Sequence, residues 1–209
     1  MLYNNWSAFW KRINGQGDFR LPHCHLIDLY RQKHRKYHNM LHIEQCLIEF
    51  EQARHLVEHP NEVEMAIWYH DAIYDPESEQ NEEKSAQLAQ KVAKEIGLPD
   101  IFGRRVHDLV LVTKHEKIPE GIDAKVLVDI DLSIFGRSEE EFDKYERNIR
   151  KEYQWCSDEE FKAGRADILQ KFLNRQTRPA VYLTDFFREK YETQARKNLE
   201  RSLAKLKSS

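Results

Sequence analysis

Residues 81–97, NEEKSAQLAQKVAKEIG, set apolar side chains at Ala86, Leu88, Ala89, Val92, Ala93 and Ile96. Steps of three and four line one face of a helix and fit no strand. Gly97 and Pro99 supply a stop, and residues 76–80 before the stretch read as a loop. The same period recurs almost everywhere along the 209 residues, with only seven glycines and six prolines to make turns. The expected fold is therefore all-α, a bundle of about nine or ten helices in a single domain over residues 1–209.

Working outward, a first helix carries Trp6, Phe9 and Trp10, which either pack on the core or form a homodimer contact. A second runs from about 22 to 32 and a third from Tyr37 to about Val57. Asn61 with Glu64 resembles a capping box and opens a helix through Ile73. Further helices are expected at about 101–115, 123–135, 138–153, 158–175 and 180–206. The last is rich in lysine and arginine, but Glu189, Glu192 and Glu200 interrupt the run, which suits a solvated face.

Composition excludes several classes. A net charge of -3 gives no general attraction for a nucleic-acid polymer or an anionic membrane. No apolar run approaches membrane-spanning length, and no export signal is apparent at the N-terminus. Cys24, Cys46 and Cys156 form an odd set without CxxC spacing, which argues against a secreted disulfide framework and for the cytoplasm.

The polar residues that helical position turns inward are few. His70 follows Val63, Ala66 and Ile67, so its imidazole ends an apolar face, and Asp71 lies about 100° round the same helix. The second His-Asp pair, His107-Asp108, follows Asp100, Gly103 and Arg104 and reads as surface. Asp131 shares a stripe with Ala124, Leu127 and Val128, whereas Asp129 stands over Lys125, so Asp131 is the inward acid. His38 and His42, four apart at the start of the third helix, stack on one face. One ion sees both, or one ring binds metal while the other faces substrate. Two imidazoles and two carboxylates suit one or two divalent ions, Mn, Mg, Fe, Ni, Co or Zn, rather than a closed thiolate zinc site.

His42, His70-Asp71 and Asp131 in this order resemble the H...HD...D signature of the HD superfamily of metal-dependent phosphohydrolases. Within it, YHNMLH at residues 37–42 is similar to the YHNxxH segment of cyclic-nucleotide phosphodiesterases. The whole chain is most similar to a bacterial group of small stand-alone HD-domain phosphohydrolases, through YHNMLHI, AIWYHDAIYDP, NEEKSAQLA, DIDLSIFG and ARKNL. No purine-clamping Gln and Phe are identifiable, so cyclic nucleotides are not implied. The resemblance implies an HD-type helical bundle with His42, His70, Asp71 and Asp131 as metal ligands. It implies His38 as acid for the leaving oxygen, in metal-assisted hydrolysis of a small phosphoester or nucleotide.

Other residues carry two readings each. Asp71 is the bridging ligand if a second ion binds. Glu82 acts as a base near Asp71 or favours its helix N-terminus. Arg35, Lys114 and Arg150 neutralise phosphate, and His115 reaches the site or ends its helix. His38 has a structural alternative in a hydrogen bond to a carboxylate. Asp75 contacts water at the metal or starts the turn at Pro76. His23, Cys24 and His25 lack a partner pair, and Tyr145, Arg150 and Tyr153 line a pocket or a half-buried face. Two other function classes stand beside the hydrolase. One is an HD-type di-iron oxygenase, in which His38 and His115 become ligands. The other is a non-catalytic sensor of nucleotide or metal.

Overall fold

The helical periodicity is realised along the chain. The computed structural model describes residues 2–208, and among them there are ten α-helices and no strand. The helices are α1 (Leu2–Arg12), α2 (Arg20–Tyr30), α3 (Met40–Ala53), α4 (Pro60–Tyr69), α5 (Asn81–Glu95), α6 (Asp100–Leu111), α7 (Ile122–Asp131), α8 (Glu139–Glu152), α9 (Asp158–Leu173) and α10 (Asp185–Ser208). Short 3-10 turns follow α3, α6 and α7, at Arg54–Leu56, Val112–Lys114 and Leu132–Gly136. No described helix is long and apolar enough to cross a membrane. The chain divides into two compact units with the boundary between Leu127 and Val128. That boundary falls inside α7, so no Gly- or Pro-rich linker marks it, and composition pointed to one domain.

In the first unit the centre is α4, in which every residue from Glu62 to Tyr69 is buried. A helix enclosed on all sides belongs in a core, and α1, α3, α5 and α6 pack against this one. Trp6 meets Trp68 edge-on at 5.3 Å. Trp6, Phe9 and Trp10 are buried, so these aromatics offer no dimer contact. The carboxylates inside α4 are neutralised by arginines: Glu64 accepts from Arg12 and Arg54, and Glu62 lies 3.4 Å from Arg105.

Several boundaries differ from the expected ones, each for a local reason. The capping box at Asn61 and Glu64 does not form, because Glu64 is drawn to the two arginines. Instead Pro60 takes the first helical position after His59, and the Asp123 carboxylate accepts from the backbone N–H of Glu58 and His59 at 2.7 and 3.1 Å. α3 starts at Met40 because the Asn39 side chain caps it, accepting from Leu41 N–H at 2.9 Å. Tyr37 and His38 therefore precede the helix. α4 stops at Tyr69 rather than Ile73. Past that point Arg35 donates to the carbonyls of Asp71 (2.6 Å) and Ala72 (2.9 Å), and the Ser85 hydroxyl takes both polar groups of the Ile73 backbone. α5 closes as expected: Gly97 at φ +79° lets Leu98 N–H reach Ala93 O and Gly97 N–H reach Lys94 O.

In the second unit Ser138 with Glu141 and Ser157 with Glu160 form capping boxes that open α8 and α9. Asp129 is fully buried while Asp131 is half-buried, which reverses the expected order of the two acids. The Asp129 carboxylate accepts from Leu183 N–H (2.6 Å), Thr184 N–H (2.8 Å) and the Thr184 hydroxyl (2.7 Å). These bonds hold residues 181–184 as a strap, and α10 starts at Asp185 rather than near 180. Asn198 of α10 donates to the carbonyls of Phe135 and Arg137 at 2.8 and 2.9 Å. Gly136 permits this approach, since a Cβ there would lie 2.4 Å from Tyr191 Cβ.

Gly136→Ala is therefore expected to destabilise the protein by about 1–3 kcal/mol through overpacking. Gly164→Ala in α9, where an added Cβ meets nothing within 4 Å, is expected to stabilise it by about 0.5–1 kcal/mol. Urea unfolding of both variants checks the pair of opposite signs.

Candidate metal centre

The first unit brings four of the expected residues together. His42 sits in the first turn of α3 and His70 caps the end of α4, both nearly inaccessible to solvent. Their Nε2 atoms stand 3.1 Å apart. Asp71 Oδ2 lies 3.1 Å from His70 Nε2 and 3.5 Å from His42 Nε2. The His70 Nδ1 is 3.0 Å from the Ile67 carbonyl; donating a proton there aims the Nε2 lone pair at the other two atoms. His38 precedes α3, its ring stacked on Tyr74 at 4.4 Å and edge-on to His42 at 6.1 Å.

Two nitrogens and a carboxylate oxygen at these separations can share one cation. Donor atoms about 2.0–2.2 Å from one ion, at angles of 90° to 110°, stand about 3.0–3.5 Å apart. The observed 3.1, 3.1 and 3.5 Å match that spacing. One donor atom each of His42, Cys46 and His70 also lies within 4.8 Å of the others, a buried group that can hold a metal ion. Burial alone would push the Asp71 carboxyl up, but the imidazoles of His70, His38 and His42 hold it well below the usual carboxylate range. Glu82, at the start of α5, is raised above its ordinary value by burial, and the charge of Asp71 adds to the shift.

The remaining candidates are placed differently. Arg35 is buried and its guanidinium serves the fold: it donates to the carbonyls of His38, Asp71 and Ala72 and lies 5.0 Å over the Tyr30 ring and 5.4 Å over Tyr74. That use is structural rather than phosphate-binding. Lys114 pairs with Glu83 and lies 3.8 Å from Glu116, and it also bears on Glu82. His115 follows it, half-buried, with a left-handed backbone (φ 54°). Asp75 caps its own turn, accepting from Glu77 N–H at 3.0 Å. His23 is buried among Tyr3, Trp6 and Trp68 while Cys24 is exposed, so residues 23–25 form no ligand cluster.

Asp131 and Arg150 belong to the second unit. Asp131 bears on the buried Tyr145 phenol, which burial first, and Glu146 and Asp131 after it, push up to about 12 against the pull of Arg165. Arg150 is consumed at the α8–α9 joint by Asp158 and the carbonyls of Tyr153 and Cys156.

Cys46 was missed by the sequence reading, which looked only for CxxC spacing. Its Sγ lies 3.7 Å from both ring nitrogens of His42. The signal was the four-residue step from His42, which puts both on one face of α3. Tyr74, the platform under His38, was missed as well. No protein-family model, curated protein or solved structure matches the chain, so its function must be read from these side chains.

His42→Ala, His70→Ala and Asp71→Ala are each expected to weaken binding of a divalent ion about 10- to 100-fold or more. His107→Ala, at the surface His-Asp pair, should leave it unchanged. Metal content by mass spectrometry after dialysis against dilute metal separates the two outcomes.

Proposed function

We propose that this protein is a metal-dependent phosphohydrolase acting on a small phosphorylated metabolite or nucleotide. The observation that carries the reading is the convergence of His42 Nε2, His70 Nε2 and Asp71 Oδ2 within 3.5 Å of one another. Asp131 as a further ligand belongs to the proposal and rests on the H...HD...D order of the sequence. A divalent ion (Mn, Mg, Fe, Ni, Co or Zn, one or two per site) supplies Lewis acidity at the phosphoryl oxygen and makes water a stronger acid.

The chain's own residues supply the rest. His70, oriented by Ile67 O, would direct its Nε2 lone pair to a bound ion. His38, which precedes α3 and stacks on Tyr74, can deliver a proton to the departing oxygen. Glu82, whose carboxyl holds its proton more tightly than usual, takes a proton from the attacking water and passes it on. Lys114, in exchange for its carboxylate partners Glu83 and Glu116, and His115 meet phosphate charge.

Phosphate release from a panel of monoesters, diesters and nucleotides, with each metal or a chelator, tests the proposal. Metal-dependent turnover is expected in the wild type and none in Asp71→Ala. His38→Ala should keep its metal and lose about 10²- to 10⁴-fold in kcat. Silence across the panel by the metal-loaded protein overturns the hydrolase. Oxygen consumption by the iron-loaded protein would then mark an oxygenase, and tight nucleotide binding without turnover a sensor.

A further inference from the structure

Residues 73–75 lie between α4 and α5, outside any helix, yet the backbone of each is bound by a side chain from elsewhere. Ser85 Oγ takes the N–H and C=O of Ile73 at 3.0 and 3.2 Å, and His34 Nε2 meets Tyr74 O at 2.9 Å. The Asn81 side chain accepts from Asp75 N–H at 3.0 Å and donates to Asp75 O at 2.8 Å. Together these bonds fix the placement of the Tyr74 ring, which stacks on His38 with centroids 4.4 Å apart and planes 29° from parallel. The backbone of His38 is fixed as well: Arg35 donates to His38 O at 3.0 Å, and its guanidinium lies 5.4 Å over the Tyr74 ring. Both rings are half-buried, unlike those of His42 and His70, so the stacked pair borders solvent and can meet a substrate. His38 is also near enough to Asp71 to bear on its carboxylate. Stacking takes the face of an imidazole while proton transfer takes place at its edge, so the two uses do not compete.

We infer that Tyr74 is a positioning residue for the proposed hydrolysis, its ring holding the His38 imidazole in the attitude from which a proton reaches the departing oxygen of an alcohol. The inference rests on the phosphohydrolase reading above and extends it to the leaving group. As water adds to phosphorus, the bond from phosphorus to the alcohol oxygen breaks with its electron pair on that oxygen, and the proton passes to it from His38. An alkoxide is a poor leaving group and needs that proton, whereas p-nitrophenol departs readily as a stable anion. A held acid therefore suits esters of alcohols, and its loss is felt on those esters.

Turnover by the metal-loaded wild type, Tyr74→Phe, Tyr74→Leu, His38→Ala and the double variant Tyr74→Leu/His38→Ala tests this. The alkyl esters are glycerol 2-phosphate, nucleoside monophosphates and dinucleotides, and the aryl esters are p-nitrophenyl and bis(p-nitrophenyl) phosphate. Tyr74→Leu is expected to keep its metal and its KM, to lose about 10- to 100-fold in kcat on the alkyl esters, and to lose little on the aryl ones. Tyr74→Phe keeps the flat face and should match the wild type. The double variant should be no slower than His38→Ala, because a ring that acts through His38 has nothing to hold once the imidazole is gone, whereas a merely structural role would add its own loss. Equal losses on both ester classes, additive losses in the double variant, or a Tyr74→Phe as slow as Tyr74→Leu overturn the inference and leave the hydrolase standing. Wild-type turnover confined to the aryl esters has the same meaning. No turnover of any ester by the wild type overturns both. Should Tyr74→Leu not fold, Tyr74→Met, whose flexible chain fills irregular space, is read in the same way.

Discussion

The guanidinium of Arg35 is the constraint on which the candidate metal centre depends. It joins two pieces of chain far apart in sequence, donating to His38 O on one side and to Asp71 O and Ala72 O on the other. Without those donors the carbonyls at 71 and 72 would have no reason to leave the helical path, and α4 could run on through Ile73. Asp71 would then point about 100° away from His70 around the helix. With them, the chain turns immediately after His70 and Asp71 Oδ2 meets both imidazoles. The rings of Tyr30 and Tyr74 cover the guanidinium faces, and Tyr30 in turn donates to Trp68 O at 3.0 Å, tying the clamp to α4. A lysine has one nitrogen and could not span the three carbonyls or stack between rings.

This explains what was legible in the sequence and what was not. Periodicity found the helices because burial of apolar faces sets it, and Gly97 found the end of α5 because only local backbone chemistry is involved. The end of α4 was illegible, since it is decided by Arg35 and Ser85, residues with no local signature. Asp129 and Asp131 were ranked by neighbours on α7 alone. Asp129 is held by Leu183 and Thr184, which donate three hydrogen bonds to it, a partner fifty residues away that no stripe reveals. The cluster of His42, His70 and Asp71 was legible as residue types in order. Cys46 was in view at the right spacing and was set aside by a rule meant for zinc fingers.

The segments DIDLSIFG and ARKNL earn a different explanation from the histidines. Asp129 straps residues 183–184, Gly136 admits Tyr191, and Asn198 ties off the carbonyls of Phe135 and Arg137. Tyr182 adds a hydrogen bond to Leu132 O at 3.1 Å. These contacts pack the 3-10 turn Leu132–Gly136 onto α10 and fix the backbone that directly follows Asp131. Most of the two motifs is therefore architecture.

The two His-Asp pairs of the chain show why the dipeptide itself carries so little. His107-Asp108 lies inside α6, where Asp108 is 79% exposed and lies 3.1 Å from its own neighbour's Nδ1. Water screens that contact, and the pair has no third donor to share an ion with. His70-Asp71 stands at the end of a helix buried from Glu62 to Tyr69, with the Asp71 side chain only 17% exposed and a second imidazole 3.1 Å from the first. Loss of water strengthens electrostatic interactions there, and three donor atoms stand close enough to share one ion. Identical residues thus become a surface hydrogen bond in one place and part of a candidate cation site in the other, and the difference lies in where the helix stops.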